Sequence, residues 1–154
     1  MKGKLIIPIL ILLILHSCTF GERNENNLSE ADLKFINQII PLEEGENIQL
    51  FETNGGLKGF KTSGNFITNK RLASYWIDNN KKETYSVMYS HIDSLSFTDR
   101  IKDLTYASYI QVYASNNNDF KLYIDADSAR TYAFFNKALE NLKNKKIDNG
   151  LKIQ

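Results

Sequence analysis

With a single cysteine, Cys18, this chain cannot close a disulfide on itself, and it has no cysteine pair from which to begin a metal site. Histidine is almost as scarce. Beyond the first eighteen residues only His91 remains, beside Asp93, and a lone histidine at a strand break serves more readily as a surface or structural residue than as a catalytic one. No His/Cys/Glu spacing supplies the clustered ligands that a metal needs, and no cofactor motif is visible. Gly55-Gly56 and Gly59 lack the Gly-Lys-Ser/Thr ending of a P-loop, and Ser94 and Ser96 lack a base within a nucleophile motif. An excess of one charge is lacking too. The 19 basic and 18 acidic side chains give +1, which argues against nucleic acid as the main partner. Nor is any apolar run long enough to span a bilayer, since Leu5 to Leu15 is short and broken by Pro8. The length suits one domain with a modest core and is too little for two.

The N-terminus carries the clearest signal. Lys2 and Lys4 precede the apolar run, which ends at Leu15-His16-Ser17-Cys18. This resembles a bacterial lipoprotein signal, in which residues 1–17 are removed and the new N-terminal cysteine is acylated. The resemblance implies lipid, palmitate among its sources, on Cys18 and a membrane-anchored protein of the bacterial cell envelope. Two acyl chains already give stable anchoring. In a cell with two membranes, Thr19 after the cysteine implies the outer one. Without Lys2 and Lys4 the net charge falls to about −1. The remaining charge is uneven. Glu22 to Glu52 holds eight acidic and two basic residues, whereas Lys58 to Lys82 holds six basic and one acidic.

Residues 18–28 are polar and read as a flexible tether. A short helix is expected over residues 29–41, capped by Ser29 with Asp32 reaching back, stapled by Leu28 and Leu33, and stopped by Pro41. Leu33, Ile36 and Ile40 share its apolar face, with Phe35 and Ile39 alongside. About seven strands follow, over 47–53, 64–68, 72–77, 83–89, 92–97, 106–114 and 120–124, and a further short one is expected near Leu57–Lys61. Asn54-Gly55-Gly56, Asn69-Lys70, the stretch 78–82 and the Asn116-Asn117-Asn118 run supply the turns. Ile110, Val112, Ala114, Phe120, Leu122 and Ile124 alternate with Tyr109, Gln111, Tyr113, Lys121 and Tyr123, which puts the first set in the core and the second outside. The period then changes. A helix capped by Asp127 or Ser128 is expected to run to about Lys145, with Tyr132, Phe135, Leu139 and Leu142 as its apolar stripe and Phe134 and Ala138 beside it. Residues 147–154 read as a tail.

About seven strands closed by one C-terminal helix is the layout of the pleckstrin-homology superfold. The hairpin Gly64-Asn65-Phe66-Ile67-Thr68-Asn69-Lys70-Arg71-Leu72-Ala73-Ser74-Tyr75 resembles the Gly-x-x-x-Thr-x-x-Arg hairpin of the bacterial PH-like and GRAM-like families, and Tyr89 to Leu95 resembles their next strand pair. The similarity spans residues 43–146. It implies a mainly β fold with α, a bent antiparallel barrel or sandwich capped by a C-terminal helix, to which the N-terminal helix is an addition. It also implies that the Thr and Arg hold the hairpin together and do not catalyse.

Two surfaces are candidates for binding. One is a basic rim of Lys58, Lys61, Lys70, Arg71, Lys81 and Lys82, for a protein partner first and for anionic lipid headgroups second; a solvated rim is the plain reading. The other is the tyrosine set Tyr109, Tyr113 and Tyr123, since tyrosine suits interfaces, although it also makes good cross-strand pairs. Asp125 and Asp127 sit at a strand-to-helix joint, where capping explains them better than calcium or paired acid–base work. The sequence thus suggests a membrane-anchored, non-catalytic binding module for a protein or envelope component. A small envelope enzyme with an unrecognised site, or a purely structural envelope protein, is the alternative. A polar pocket of convergent ionisable groups would mark the enzyme, and a filled barrel interior the binding module.

Overall fold

The computed structural model describes residues 23–24, 28–53, 56–79, 81–100, 102, 107–115, 118–148 and 150. The expected leader, Cys18 and the end of the expected tail lie outside the described residues. Helix α1 spans Glu30–Ile39. The Ser29 hydroxyl accepts from the Asp32 N–H at 3.2 Å, and the Asp32 carboxylate accepts from the Ser29 N–H at 3.0 Å. This reciprocal cap satisfies two donors that the first helical turn leaves open. Ile36, Ile40 and Leu28 are buried.

Two antiparallel sheets follow. The first contains β1 (Arg23–Asn24), β2 (Ile48–Glu52), β3 (Ser63–Thr68), β4 (Arg71–Asp78) and β5 (Lys81–Met88) in that order. The second contains β6 (Ile92–Thr98), β7 (Ser108–Ala114) and β8 (Phe120–Ile124). The short β1 lies within the stretch expected to be tether and pairs with the outer edge of β2, Arg23 opposite Phe51 and Asn24 opposite Leu50. The strand expected near Leu57–Lys61 is instead a 3-10 segment, Gly56–Lys61, kinked at Gly59 with φ 58° and ψ −146°. That left-handed backbone suits glycine and cannot continue a strand. The Gly59 carbonyl accepts from both the N–H and the hydroxyl of Thr62, which closes the turn into β3.

All six residues of β3 are buried, because the first sheet is covered on both faces. Ile67, Leu72, Val87 and Tyr89 face the second sheet and fill the interior with Ile110, Val112, Phe120, Leu122 and Ile124. Phe51, Phe66, Ala73 and Tyr75 face the other way and form a second core with Ile36, Ile40 and Leu28. The alternation expected in β7 and β8 is present, with Ile110, Val112, Ala114, Phe120, Leu122 and Ile124 buried.

Helix α2 spans Ser128–Asp148, three residues longer than the expected end at Lys145. Asp127 caps it, its carboxylate accepting from the Arg130 N–H at 2.9 Å. Its buried face is Thr131, Phe134, Ala138 and Leu142, so the helix is turned by about one residue from the expected stripe. Tyr132 is exposed, its hydroxyl donating to Asp99 at 3.0 Å and its ring set edge-on to Phe97. Phe135 is half-buried and stacks on Phe97 at 5.2 Å. Thr131 can face inward because its hydroxyl donates to the Asp127 carbonyl at 2.8 Å, and Ala138 lets the helix approach closely. Polar ties from Arg130 and Asn141 lock α2 to the first sheet and to Tyr89 just beyond its last strand. The guanidinium of Arg130 pairs through two nitrogens with the buried carboxylate of Glu52, and the Asn141 amide donates to Gln49, the Thr68 carbonyl and the Tyr89 hydroxyl. Burial raises the Tyr89 phenol well above its ordinary value, and the bond from Asn141 offsets only part of this.

Candidate functional site

The hairpin residues Gly64, Thr68 and Arg71 perform three separate structural tasks. A Cβ at Gly64 would lie 2.6 Å from ring atoms of both Phe51 and Tyr75, so only glycine lets those rings close on the strand. The Thr68 hydroxyl accepts from the N–H groups of Lys70 and Arg71 at 3.0 and 2.8 Å, satisfying the turn. Arg71 Nε and Nη2 donate to the two oxygens of the Glu46 carboxylate at 2.7 and 2.5 Å, and Nη2 also donates to the Pro41 carbonyl at 3.3 Å. The Glu46 carboxyl is shut off from solvent. Burial alone would raise its pKa, but the bonds from Arg71, the Glu43 N–H and Thr68 outweigh that and hold it below its ordinary value. The expected structural role of the Thr and Arg is therefore visible atom by atom.

This geometry divides the basic rim. Lys70 and Arg71 sit at the β3–β4 turn and are engaged, Lys70 with Glu43 at 3.2 Å and with the Glu44 carbonyl at 2.7 Å. Lys61, Lys81 and Lys82 lie at the opposite end of the sheet, and all three are exposed. Lys58 belongs to the 3-10 segment, and its side chain lies outside the described residues. The tyrosine set is also divided. Tyr109 and Tyr123 are opposite one another across β7 and β8, ring centroids 5.7 Å apart, with the Lys121 ammonium 4.5 Å above the Tyr109 ring. The Thr98 hydroxyl beside Tyr109 favours its ionised form, burial opposes this slightly, and Lys121 and Arg100 add to the lowering. Tyr113 stands further along β7, opposite Ser94.

The Ser115 hydroxyl donates to the Asp93 carboxylate at 2.8 Å and the Ser115 N–H to the His91 carbonyl at 3.0 Å, a strand-end fastening. Asp127 is the helix cap already described. Among the described residues no group of three or more His, Cys, Asp or Glu side chains is placed to hold a metal ion.

Two hollows deserve comparison. A groove of about 620 Å³ runs between α1 and β2, lined by Leu33, Asn37, Leu42, Glu46 and Ile48 among others. Its polar groups are already used, Asn37 by the Leu42 N–H and Glu46 by Arg71. The other, about 440 Å³, lies between β4, β5 and the β8 edge. Trp76, Tyr85 and Tyr123 stand around it, 49%, 45% and 49% exposed. Tyr85 stacks on Phe120 at 5.5 Å, and Glu83, Asp119 and Lys121 complete the rim. At its floor the buried Asn65 donates to the Tyr123 carbonyl at 2.6 Å and accepts from the Ser74 hydroxyl at 2.8 Å, tying the two sheets together. Half-exposed rings around a few polar groups is the composition of a binding groove. Of these residues only Tyr123 is a binding candidate on sequence grounds. The one available signal was that Trp76, the chain's sole tryptophan, lies just before a charged turn.

Two antiparallel sheets with a filled interior and a C-terminal helix define a mainly β, PH-like domain. In agreement, the structure is similar to a solved DUF1696 family protein with a pleckstrin-homology domain from Shewanella loihica PV-4, with a TM-score of 0.50 and 15% identity over 80% of this chain and 94% of that one. No protein-family model matches the sequence, and no curated protein matches it either.

Proposed function

We propose that this protein is a lipid-anchored lipoprotein of the bacterial cell envelope whose PH-like domain works by binding a protein or other envelope component, not by catalysis. The observation that carries the binding role is the aromatic groove formed by Trp76, Tyr85, Phe120 and Tyr123. The filled interior supports the same reading, since Ile67, Leu72, Ile110, Val112 and Leu122 are fully buried and leave the barrel no internal active site among the described residues. The anchoring role rests on Cys18, the only cysteine, placed directly after a charged and apolar leader.

Cys18→Ala is expected to abolish palmitate labelling in growing cells and to move the protein from the membrane to the soluble fraction. Equal label in both forms would refute the anchor. Crosslinking in the native cell tests the binding role. Wild-type protein should capture a partner that the Trp76→Ala/Tyr85→Ala variant loses while keeping its melting temperature, and identical capture by both would remove the groove as the site.

A further inference from the structure

The face of the first sheet that looks toward the second changes character along the strands. Across β3, β4 and β5 one row of that face is Ile67, Leu72 and Val87, all buried in the interior. The next row is Asn65, Ser74 and Tyr85, and the last is Ser63, Trp76 and Glu83. Apolar residues in these two rows would have extended the core. They line the aromatic groove instead, with Trp76 and Tyr85 half-exposed.

The charges around the groove are unequally committed. The Lys121 ammonium is held 4.5 Å from the centre of the Tyr109 ring, which does not line the groove. Asp119 accepts from the Ala114 N–H at 2.8 Å with one carboxylate oxygen. Lys82 lies on the opposite face of β5, and Lys81 stands across from Asp78 at the hairpin turn. The Glu83 carboxylate, cross-strand from Trp76, has no hydrogen bond or ion pair among the described residues. Ring faces and a carboxylate both attract positive charge, so this arrangement favours a cation.

The polar floor favours a cation with N–H groups to give. The Ser74 hydroxyl donates its proton to Asn65 and keeps its oxygen as an acceptor in the groove. A planar guanidinium stacks on a ring and still donates to Ser74 and Glu83, whereas a quaternary ammonium has no donor. The strand beside the groove favours a peptide as the source. Among the described residues β5 pairs only with β4, so alternate N–H and C=O groups along Lys81–Met88 face outward and suit an added extended chain. We propose that the groove binds an arginine side chain on an extended segment of a partner protein, its guanidinium stacked against Trp76 and Tyr85 and paired with Glu83. This inference deepens the proposed binding role and rests on that reading of the groove.

The sole tryptophan reports on the groove directly. The intact protein, purified in a non-ionic detergent, is titrated with a capped peptide of serine and threonine around one central arginine. Trp76 emission and the indole N–H resonance are followed, and both should shift saturably. Citrulline in place of that arginine keeps the shape without the charge and should weaken binding about tenfold, and Glu83→Gln should do the same at an unchanged melting temperature. Equal binding of the arginine and citrulline peptides, or no shift with either, overturns the proposal. Tighter binding of tetramethylammonium than of the arginine peptide overturns the guanidinium, and equal binding of acetylarginine amide overturns the extended segment. Capture in the cell by wild type but not by Trp76→Ala/Tyr85→Ala tests the groove itself. A groove that captures a partner there yet ignores arginine overturns this inference alone.

Discussion

Replacing Gly64 with alanine would bring a methyl group to 2.6 Å from Phe51 and Tyr75, both of which are almost wholly buried. Neither ring can retreat without disturbing the core beneath α1, where Phe51 also stacks on Phe66. Gly64→Ala should therefore cost about 1–3 kcal/mol as overpacking, measured by urea unfolding. Glu46 acts through charge. Glu46→Gln leaves the Arg71 guanidinium, only 11% exposed, without its counter-charge and should cost about 3 kcal/mol near neutral pH. The pH dependence follows from the lowered pKa of Glu46. The unfolded chain takes up this proton near pH 4.5, before the folded protein does. The ion pair's contribution is thus complete above that pH and is lost as pH falls through the folded value. The stability gap between wild type and Glu46→Gln should narrow below about pH 4.5, and a gap that widens in acid would show that the carboxylate is not what stabilises the hairpin.

At the level of the element, the phase of α2 decides which phenylalanine matters. Phe134 is 1% exposed within the interior, whereas Phe135 lies on the flank against Phe97. Phe134→Ala should cost about 3–5 kcal/mol and Phe135→Ala clearly less, by the same urea titration. The opposite ranking would mean that the helix is turned as its hydrophobicity alone suggests. That phase was hard to read from the sequence. Counting apolar residues rewards Tyr132 and Leu139 and penalises Thr131, although Thr131 is inward-facing and satisfied by its own helix. Elements governed by local rules were legible. The Ser29–Asp32 cap, the β7 and β8 alternation and the Asp127 cap each depend on residues a few positions apart. The 3-10 segment at Gly56–Lys61 was misread as a strand because the left-handed backbone of Gly59 has no side-chain pattern to announce it.

Across the whole molecule, the mainly β architecture and the hairpin motif could be read from the sequence, whereas the composition of the aromatic groove could not. Trp76, Tyr85, Phe120 and Tyr123 come from three strands of two sheets and line one groove only in the folded chain. The ion pairs Arg71–Glu46 and Arg130–Glu52 join residues 25 and 78 positions apart. The same long-range ties explain why a basic rim that looks continuous in sequence is divided in space into an engaged pair and a free end. The sharing of β3 between two cores has a further consequence for how the molecule opens. Helix α1 is fastened to the first sheet by apolar packing and by the Arg71 bonds to Glu46 and the Pro41 carbonyl, none of which touches the interior beneath α2. It can therefore lift away while the interior stays closed, as a cooperative unit of lower stability. Amide hydrogen exchange should register this as two classes. Glu46→Gln should speed exchange in α1 by a larger factor than in β7 and β8, so that one carboxylate sets the opening rate of one layer and leaves the other layer's clock unchanged.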